Sequence, residues 1–171
     1  MTDCLLQPAT RDIDHHRLGE LAHRIWHEHY PGIISREQIE YMLATQYDTE
    51  TLSHQQSEGT RFVLAWIEQT PVGFAGVSPD EEAAEIVWLD KLYILAAYRG
   101  QGIGRRLIDW ARHTGAELDA DALCLRVNRH NTASVAMYEH AGFEIEREDV
   151  KAIGHGFVMD DYVMRMPINQ A

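Results

Sequence analysis

The order of elements legible in this chain predicts one α/β domain: a mixed, mostly antiparallel sheet of about seven strands with helices on its faces. Three observations carry that expectation. Hydrophobic periodicity reads in the order strand, helices, three strands, helix, strand, helix, two strands, with no long linker or internal repeat. The 171 residues, 45% of them hydrophobic, suffice for one compact core over residues 1–171 and fall short of two. A glycine-rich turn, Arg99-Gly100-Gln101-Gly102-Ile103-Gly104, joins an apolar strand directly to a helical pattern.

In chain order, Cys4-Leu5-Leu6 reads as a short strand, and the residues from Pro8 to Asp12 as a turn. From about Ile13 to Tyr30, Leu18, Leu21, Ala22, Ile25 and His29 recur at three-and-four spacing, an amphipathic helix stopped by Pro31-Gly32. Ser35-Arg36-Glu37-Gln38 is a capping box that opens a second helix, ending near Tyr47. A third short helix spans Thr49 to Ser57. Arg61 to Ile67 and Val72 to Val77 are strands joined by a turn, and a further strand runs from about Glu85 to Ile94. A helix from Gly102 to about Leu118, a strand from Leu123 to Val127 and a helix from Asn131 to His140 follow. Strands beginning at Gly142 and covering Tyr162 to Met166 close the series.

Composition excludes several function classes. Fifteen basic residues against twenty-seven acidic ones leave a net charge of -12. That balance argues against nucleic acid and anionic membrane as partners and favours a cationic substrate. Two cysteines, Cys4 and Cys124, form neither a disulfide framework nor a metal-ligand spacing. No apolar run has signal-peptide or membrane-spanning character, so a cytoplasmic protein is expected. His23 and His27 stand at i, i+4, but on the polar face of the first helix and without a third ligand; no metal is expected.

The glycine turn allows backbone N–H groups to approach a bulky anion, with the dipole of the next helix assisting; it would equally serve tight strand–helix packing. It fits neither the Gly-x-Gly-x-x-Gly dinucleotide fingerprint nor the Walker loop with its lysine. The run of three antiparallel strands before it is also foreign to both contexts.

A second segment narrows the choice. Arg99-x-x-Gly102-x-Gly104 follows a strand ending Leu92-Tyr93-Ile94. Later comes Asn131-Thr132-Ala133-Ser134-Val135-Ala136-Met137-Tyr138-Glu139-His140-Ala141-Gly142-Phe143. Together, in this order, they resemble the two signatures of the GNAT superfamily of N-acetyltransferases. The resemblance implies a GNAT-type sheet with a splayed strand pair and acetyl-CoA as the acetyl donor. It implies that Gly100 and the amides of Gln101, Gly102, Ile103, Gly104 and Arg105 cradle the CoA pyrophosphate. The main chain of Leu92, Tyr93 and Ile94 would pair with the pantetheine arm, and an amide at Leu92 or Tyr93 would bond the acetyl oxygen. Asn131 and Ser134 would contact the cofactor or brace its loop, and Tyr138 would lie beside the sulfur. Family members are often dimers, and no interface is legible here.

The chemistry of amine attack on a thioester needs a neutral amine, an oxyanion donor and a proton for the thiolate. Tyr138 is the expected proton or hydrogen-bond donor. Asp90, one strand step before the acetyl-binding residues, is the expected base or ammonium attractor, with an ion pair to an arginine as its alternative and Glu85 in reserve. By alternation Asp90 shares a face with Trp88 and Leu92 unless a bulge intervenes. His29, Tyr30 and His155 are candidates for the substrate pocket, with simple packing as the alternative for His29 and Tyr30. Cys124 reads as a small buried hydrophobe.

The flanks, Ile25 to Ser35 and His155 to Met166, resemble the branch that includes bacterial spermidine/spermine acetyltransferases. That resemblance points to a polyamine or other small cationic amine; the acidic clusters Asp80 to Glu82, Glu144 to Asp149 and Asp160-Asp161 suit a polycation and would equally be solvated surface. A peptide amine as acceptor, and a non-catalytic acyl-CoA-binding module, are the alternatives.

Overall fold

A computed structural model of the chain describes residues 3–168. β1 (Cys4–Pro8) leads into three helices, α1 (Asp12–His29), α2 (Arg36–Gln46) and α3 (Thr49–Ser57). β2 (Arg61–Ile67), β3 (Thr70–Pro79) and β4 (Ile86–Ile94) follow, then a single 3-10 turn (Ala96–Tyr98) and α4 (Ile103–Glu117). β5 (Ala122–Asn128), α5 (Thr132–Ala141), β6 (Glu144–Gly154) and β7 (Phe157–Pro167) complete the chain. The seven strands form one sheet in the order β1-β2-β3-β4-β5-β7-β6. Every neighbouring pair is antiparallel except β4 and β5, which are parallel. The mixed, mostly antiparallel sheet expected from the sequence is therefore present.

Local chemistry starts the helices. The Ser35 hydroxyl accepts from the Gln38 amide at 3.1 Å, and Asp48 accepts from the Thr51 amide at 3.2 Å. α1 buries Leu18, Leu21, Ala22, Ile25 and Trp26 on one stripe, each large side chain contributing roughly 1.5–3 kcal/mol. No helix among the described residues is long and apolar enough to cross a membrane.

Two boundaries depart from the sequence reading. β6 and β7 form an 11-residue hairpin each way, well beyond the Gly142–Ile145 and Tyr162–Met166 segments expected. Most of β6 is exposed, so its polar run Glu146 to Asp149 carries no hydrophobic alternation; the backbone ladder with β7 holds it instead. Gly142 caps α5 with φ of 112° rather than starting a strand.

Two irregularities make the site. The parallel pairing of β4 with β5 covers only Ile86–Leu89 against Ala122–Leu125. Beyond it β4 continues with β3 as far as Ile94, and β5 continues with β7 as far as Asn128, so the two strands splay. The second irregularity is a bulge: Gly76 pairs with Lys91 and Val77 with Leu89, leaving Asp90 as the extra residue. The alternation expected without a bulge is corrected accordingly. Leu92 turns to the α4 face with Ala75, while Trp88, Lys91 and Tyr93 share the face covered by α1 to α3.

Candidate active site

The splay opens a cleft of about 430 Å³ that passes from one face of the sheet to the other. On the α1–α2 face its wall comes from Trp26, His29, Tyr30, Met42 and Tyr47. Asp90 to Ile94 of β4 and Arg126 to Asn128 of β5 border the gap itself. α5 contributes Asn131, Ser134, Met137 and Tyr138, and the β6–β7 hairpin Lys151, Ile153, Met159 and Asp161.

The donor side is built mainly from backbone. Past Leu89 the β5-facing edge of β4 has no strand partner, so main-chain groups of the Asp90–Ile94 segment face the gap. An extended amide ligand can add to such an edge as a strand would. Next to it stands the head of α4. Gly102 is the N-cap, with φ of 83° and no side chain to satisfy the first-turn amides. That turn holds no acidic residue, and instead carries Arg105 and Arg106 against the positive end of the helix dipole. Every part of this arrangement favours an anion. A Cβ on Gly100 or Gly102 would meet no atom within 4 Å, so those glycines serve conformation and approach; one on Gly104 would lie 3.4 Å from Ile94 and Met137, where it borders the cleft wall. Gly100 to Arg105 form this head outside the cleft lining, while Arg99 lines the cleft and donates from Nε to the Ile94 carbonyl at 3.2 Å.

Tyr138 enters the cleft from α5, packed edge-on against Phe143 with centroids 5.6 Å apart. Burial raises its phenol pKa above the ordinary value, and the neighbouring Tyr30 adds to that, so the hydroxyl keeps its proton at neutral pH. Asp90 lines the gap where the splay begins and accepts from the Ser78 hydroxyl. Desolvation by surrounding protein raises its pKa, against the hydrogen bond from Ser78 and the charges of Lys91 and Arg126. A carboxylate so placed is a better base than a free one. Its arginine alternative, a direct ion pair, does not form among the described residues; Arg126 pairs with Asp149 at 3.0 Å and stacks on Trp88. Glu85 precedes β4 and does not line the cleft.

Across the sheet, the Tyr30 and Tyr93 hydroxyls are 3.0 Å apart, inside an aromatic group with Trp26, Tyr47 and Phe74. Burial pushes the Tyr30 phenol up to about 12. Asn131 lines the cleft and braces its loop: its carbonyl caps α5 through the Ser134 amide at 3.4 Å, and its amide lies 2.8 Å from His29 Nε2. Burial lowers the His29 pKa, Arg99 lowers it further, and the Asn131 contact opposes both, leaving a neutral imidazole.

The comparisons with known proteins agree with this geometry. Residues 19–143 match the family described as the acetyltransferase (GNAT) family. The chain belongs to that family. Its domain is an N-acetyltransferase domain, with acetyl-CoA as the acetyl donor. Spermidine N(1)-acetyltransferase of Thermoplasma acidophilum is 28% identical over 148 residues, covering 84% of this chain and 88% of that protein. The Xenopus laevis protein named "Probable N-acetyltransferase camello" is 34% identical over 119 residues, 67% of this chain; the chain spans only 50% of that relative. Among solved structures, PaiA N-acetyltransferase from Thermoplasma acidophilum, in complex with coenzyme A, has the same fold. Its TM-score is 0.82 at 24% identity, covering 96% of this chain and 99% of that one.

Of the residues expected at the site, this GNAT domain gathers Asp90, Leu92, Tyr93, Ile94, Arg99, Asn131, Ser134, Tyr138, His29 and Tyr30 around one cleft. His155 is a correction. It sits in the left-handed turn between β6 and β7, with φ of 55°, and its ring packs on Tyr41 at 4.9 Å, outside the cleft lining. The hairpin lends the cleft Ile153 and Met159 on either side of this turn, while the His155 ring turns to Tyr41. Asp80 is likewise occupied, accepting from the Trp88 indole at 2.7 Å and from two amides of its own loop. Sequence reasoning treated Asp161 only as part of an acidic cluster; it is a buried wall residue of the cleft. No alternation along β7 signals it, since Val163 and Met164 are both buried on opposite faces; the pairing of Asp161 with Asn128 is set by the sheet.

Proposed function

We propose that this GNAT domain moves the acetyl group directly from acetyl-CoA to a primary amine bound in the same cleft, with a polyamine or other small cationic amine as acceptor. The observation that carries the reading is the convergence, at one splay, of an unpaired β4 edge, the Tyr138 phenol and the Asp90 carboxylate. Acetyl-CoA supplies the thioester; the chain's own groups do the rest. The head of α4 receives the pyrophosphate, and the β4 edge aligns the pantetheine arm. An amide at Leu92 or Tyr93 donates to the acetyl oxygen as charge develops on it. Asp90, directly or through water, accepts the proton that the amine gives up. Tyr138 donates its O–H toward the departing sulfur.

Cys124 takes no part in this scheme. It is buried within the paired region of β4 and β5, outside the cleft lining, and burial raises its thiol pKa. A covalent acetyl group trapped on Cys124 during turnover would contradict direct transfer.

The polyamine acceptor is supported by the acidic side chains Asp90 and Asp161 in the cleft wall, by the net charge of -12, and by the spermidine acetyltransferase of Thermoplasma among the relatives. The deciding experiment measures acetyl transfer from acetyl-CoA to a panel of monoamines, diamines, spermidine and N-terminal peptides. Turnover of the small amines is expected. Turnover restricted to peptides overturns the polyamine acceptor, and tight acetyl-CoA binding without transfer to any amine overturns the catalytic reading.

A further inference from the structure

Asp161 is a buried acid of the cleft wall with no ion pair among the described residues. Its side chain is 3% exposed and forms part of the cleft wall. Its Oδ1 is enclosed by protein and accepts no hydrogen bond among the described residues. A buried carboxylate is ordinarily paired, because desolvation penalises the bare charge.

The surroundings explain why this one is not. β7 sets Asp161 opposite Asn128 of β5 and Asp149 of β6. Arg126 is engaged by Asp149, and Arg129 by Glu148 at 3.2 Å and Asp160 at 2.7 Å. From α1 comes Tyr30, whose phenol burial keeps neutral, the charge of Asp161 adding to that effect. Burial raises the Asp161 carboxyl pKa to about 6; Arg126 lowers it, and Asp149 and Asp160 raise it. Arginines pair with the two neighbouring acids, while Asp161 has no ion pair among the described residues; Lys91 of β4 and Lys151 of β6 line the same cleft without pairing with it.

Position adds a second argument. Asp90 lies beside Leu89, at the last rung of the parallel pair, and its carboxylate meets Ser78 on the face that also carries Trp88. Asp161 is on that same face, because Arg126, which alternates with Asn128 along β5, stacks on Trp88. Asn128 lies three residues beyond Leu125 on β5, roughly 10 Å further up the splay at about 3.3 Å per residue. The aromatic rings of Trp26, Tyr30 and Tyr93 line the same cleft and offer an apolar wall.

We propose that Asp161 holds a second, non-reacting ammonium of the acceptor, so that the substrate is a diamine or longer polyamine with its reacting nitrogen at Asp90 and its other nitrogen at Asp161. This rests on the amine-acetyltransferase reading above. The second ammonium donates N–H to the carboxylate and supplies the missing ion pair, while the methylene chain between the nitrogens lies along the aromatic wall. A monoamine makes the first contact and not the second.

The test compares the wild-type chain with Asp161→Asn at saturating acetyl-CoA, using 1,4-diaminobutane, spermidine and n-butylamine. For the diamine and spermidine, kcat/KM falls about thirtyfold or more, the loss expected for a charge-assisted hydrogen bond, while n-butylamine changes less than about threefold. Equal losses on all three amines, or unchanged rates on the diamine and spermidine, overturn the proposal. Asp161→Glu keeps the charge and retains preference for the diamine over n-butylamine; loss of that preference counts against the proposal. The wild type alone gives an independent readout: the KM for spermidine rises as pH falls below about 6 and that for n-butylamine does not, and parallel profiles overturn the assignment. Failure of the underlying reading looks different, since wild-type protein would then acetylate none of the three amines. Equal efficiency on all three in both proteins removes Asp161's role and leaves amine acetylation standing.

Discussion

The two sides of the cleft are made of different material. On the α4 side the ligand-facing groups are main-chain amides: a strand edge left open past Leu89 and a helix head whose N-cap, Gly102, has no side chain. On the α1–α2 side they are side chains brought from α1, β4, β5 and β7, with Asp161 the most deeply enclosed of the acids. The contrast is sharpest between two helix starts that flank the same gap. α5 is closed by Asn131, whose side chain caps the Ser134 amide and meets His29. α4 is left open. A backbone site demands glycine and tolerates most other changes nearby, whereas a side-chain site is specific and costs stability, because charged groups must be buried in advance of the ligand.

Perturbing each side in turn should separate these roles. The largest effect belongs to Gly102→Asp, which forces a side chain to adopt φ of 83° and places negative charge at the helix head. Acetyl-CoA affinity measured by calorimetry falls by roughly a thousandfold, about the worth of two charge-assisted hydrogen bonds, with the circular dichroism spectrum retained. Unimpaired binding would remove the cradle assignment. Tyr138→Phe comes next: kcat drops by about a hundredfold or more while acetyl-CoA affinity stays within about threefold. Equal loss in both quantities would recast Tyr138 as a binding residue.

The third prediction concerns the stability cost of the acceptor side. A carboxyl whose folded pKa is raised favours the folded state below its unfolded value near 4, and that contribution is lost as pH rises through the folded value. For Asp161 the folded value is about 6. Between pH 4 and pH 8, urea denaturation should therefore show Asp161→Asn gaining about 2–3 kcal/mol relative to wild type. A difference that does not change with pH would mean the carboxyl is unperturbed. The smallest effect is that of Asn131→Ala, which removes the α5 cap and frees His29; it costs about 1 kcal/mol in thermal or urea unfolding. No loss at all would show that the brace is dispensable and blur the contrast with α4.

These differences also decide what could be read in advance. Gly100, Gly102 and Gly104 were legible because a backbone cradle leaves a glycine signature, and Tyr138 was legible because its neighbours from Asn131 to Phe143 are contiguous with it. Asp90 is legible as a residue, but Leu92 does not share its face as plain alternation expects, because the bulge opposite Gly76 and Val77 leaves no mark in a run of strand-forming residues. His155 was drawn toward the pocket by proximity in sequence to the last strands; its ring turns to Tyr41 instead. Asp161 is legible only as half of an acidic pair suited to a polycation, because an acid beside another acid carries no mark of burial.

By itself the sequence determined the sheet and helix order, the glycine turn at the head of α4 and the family, since each rests on local periodicity, on glycines with unusual backbone angles or on contiguous motifs. On the opposite side, Asp90, His29 and Tyr30 are legible in the sequence, whereas the burial of Asp161 is decided by tertiary structure. Whether Asp161 is hydrated or buried depends on what Asp149, Arg126 and Tyr30 do around it, and those residues reach it from two other strands and a helix. The reason is physical: solvation and charge pairing are properties of the packed neighbourhood, and no spacing along one strand encodes them.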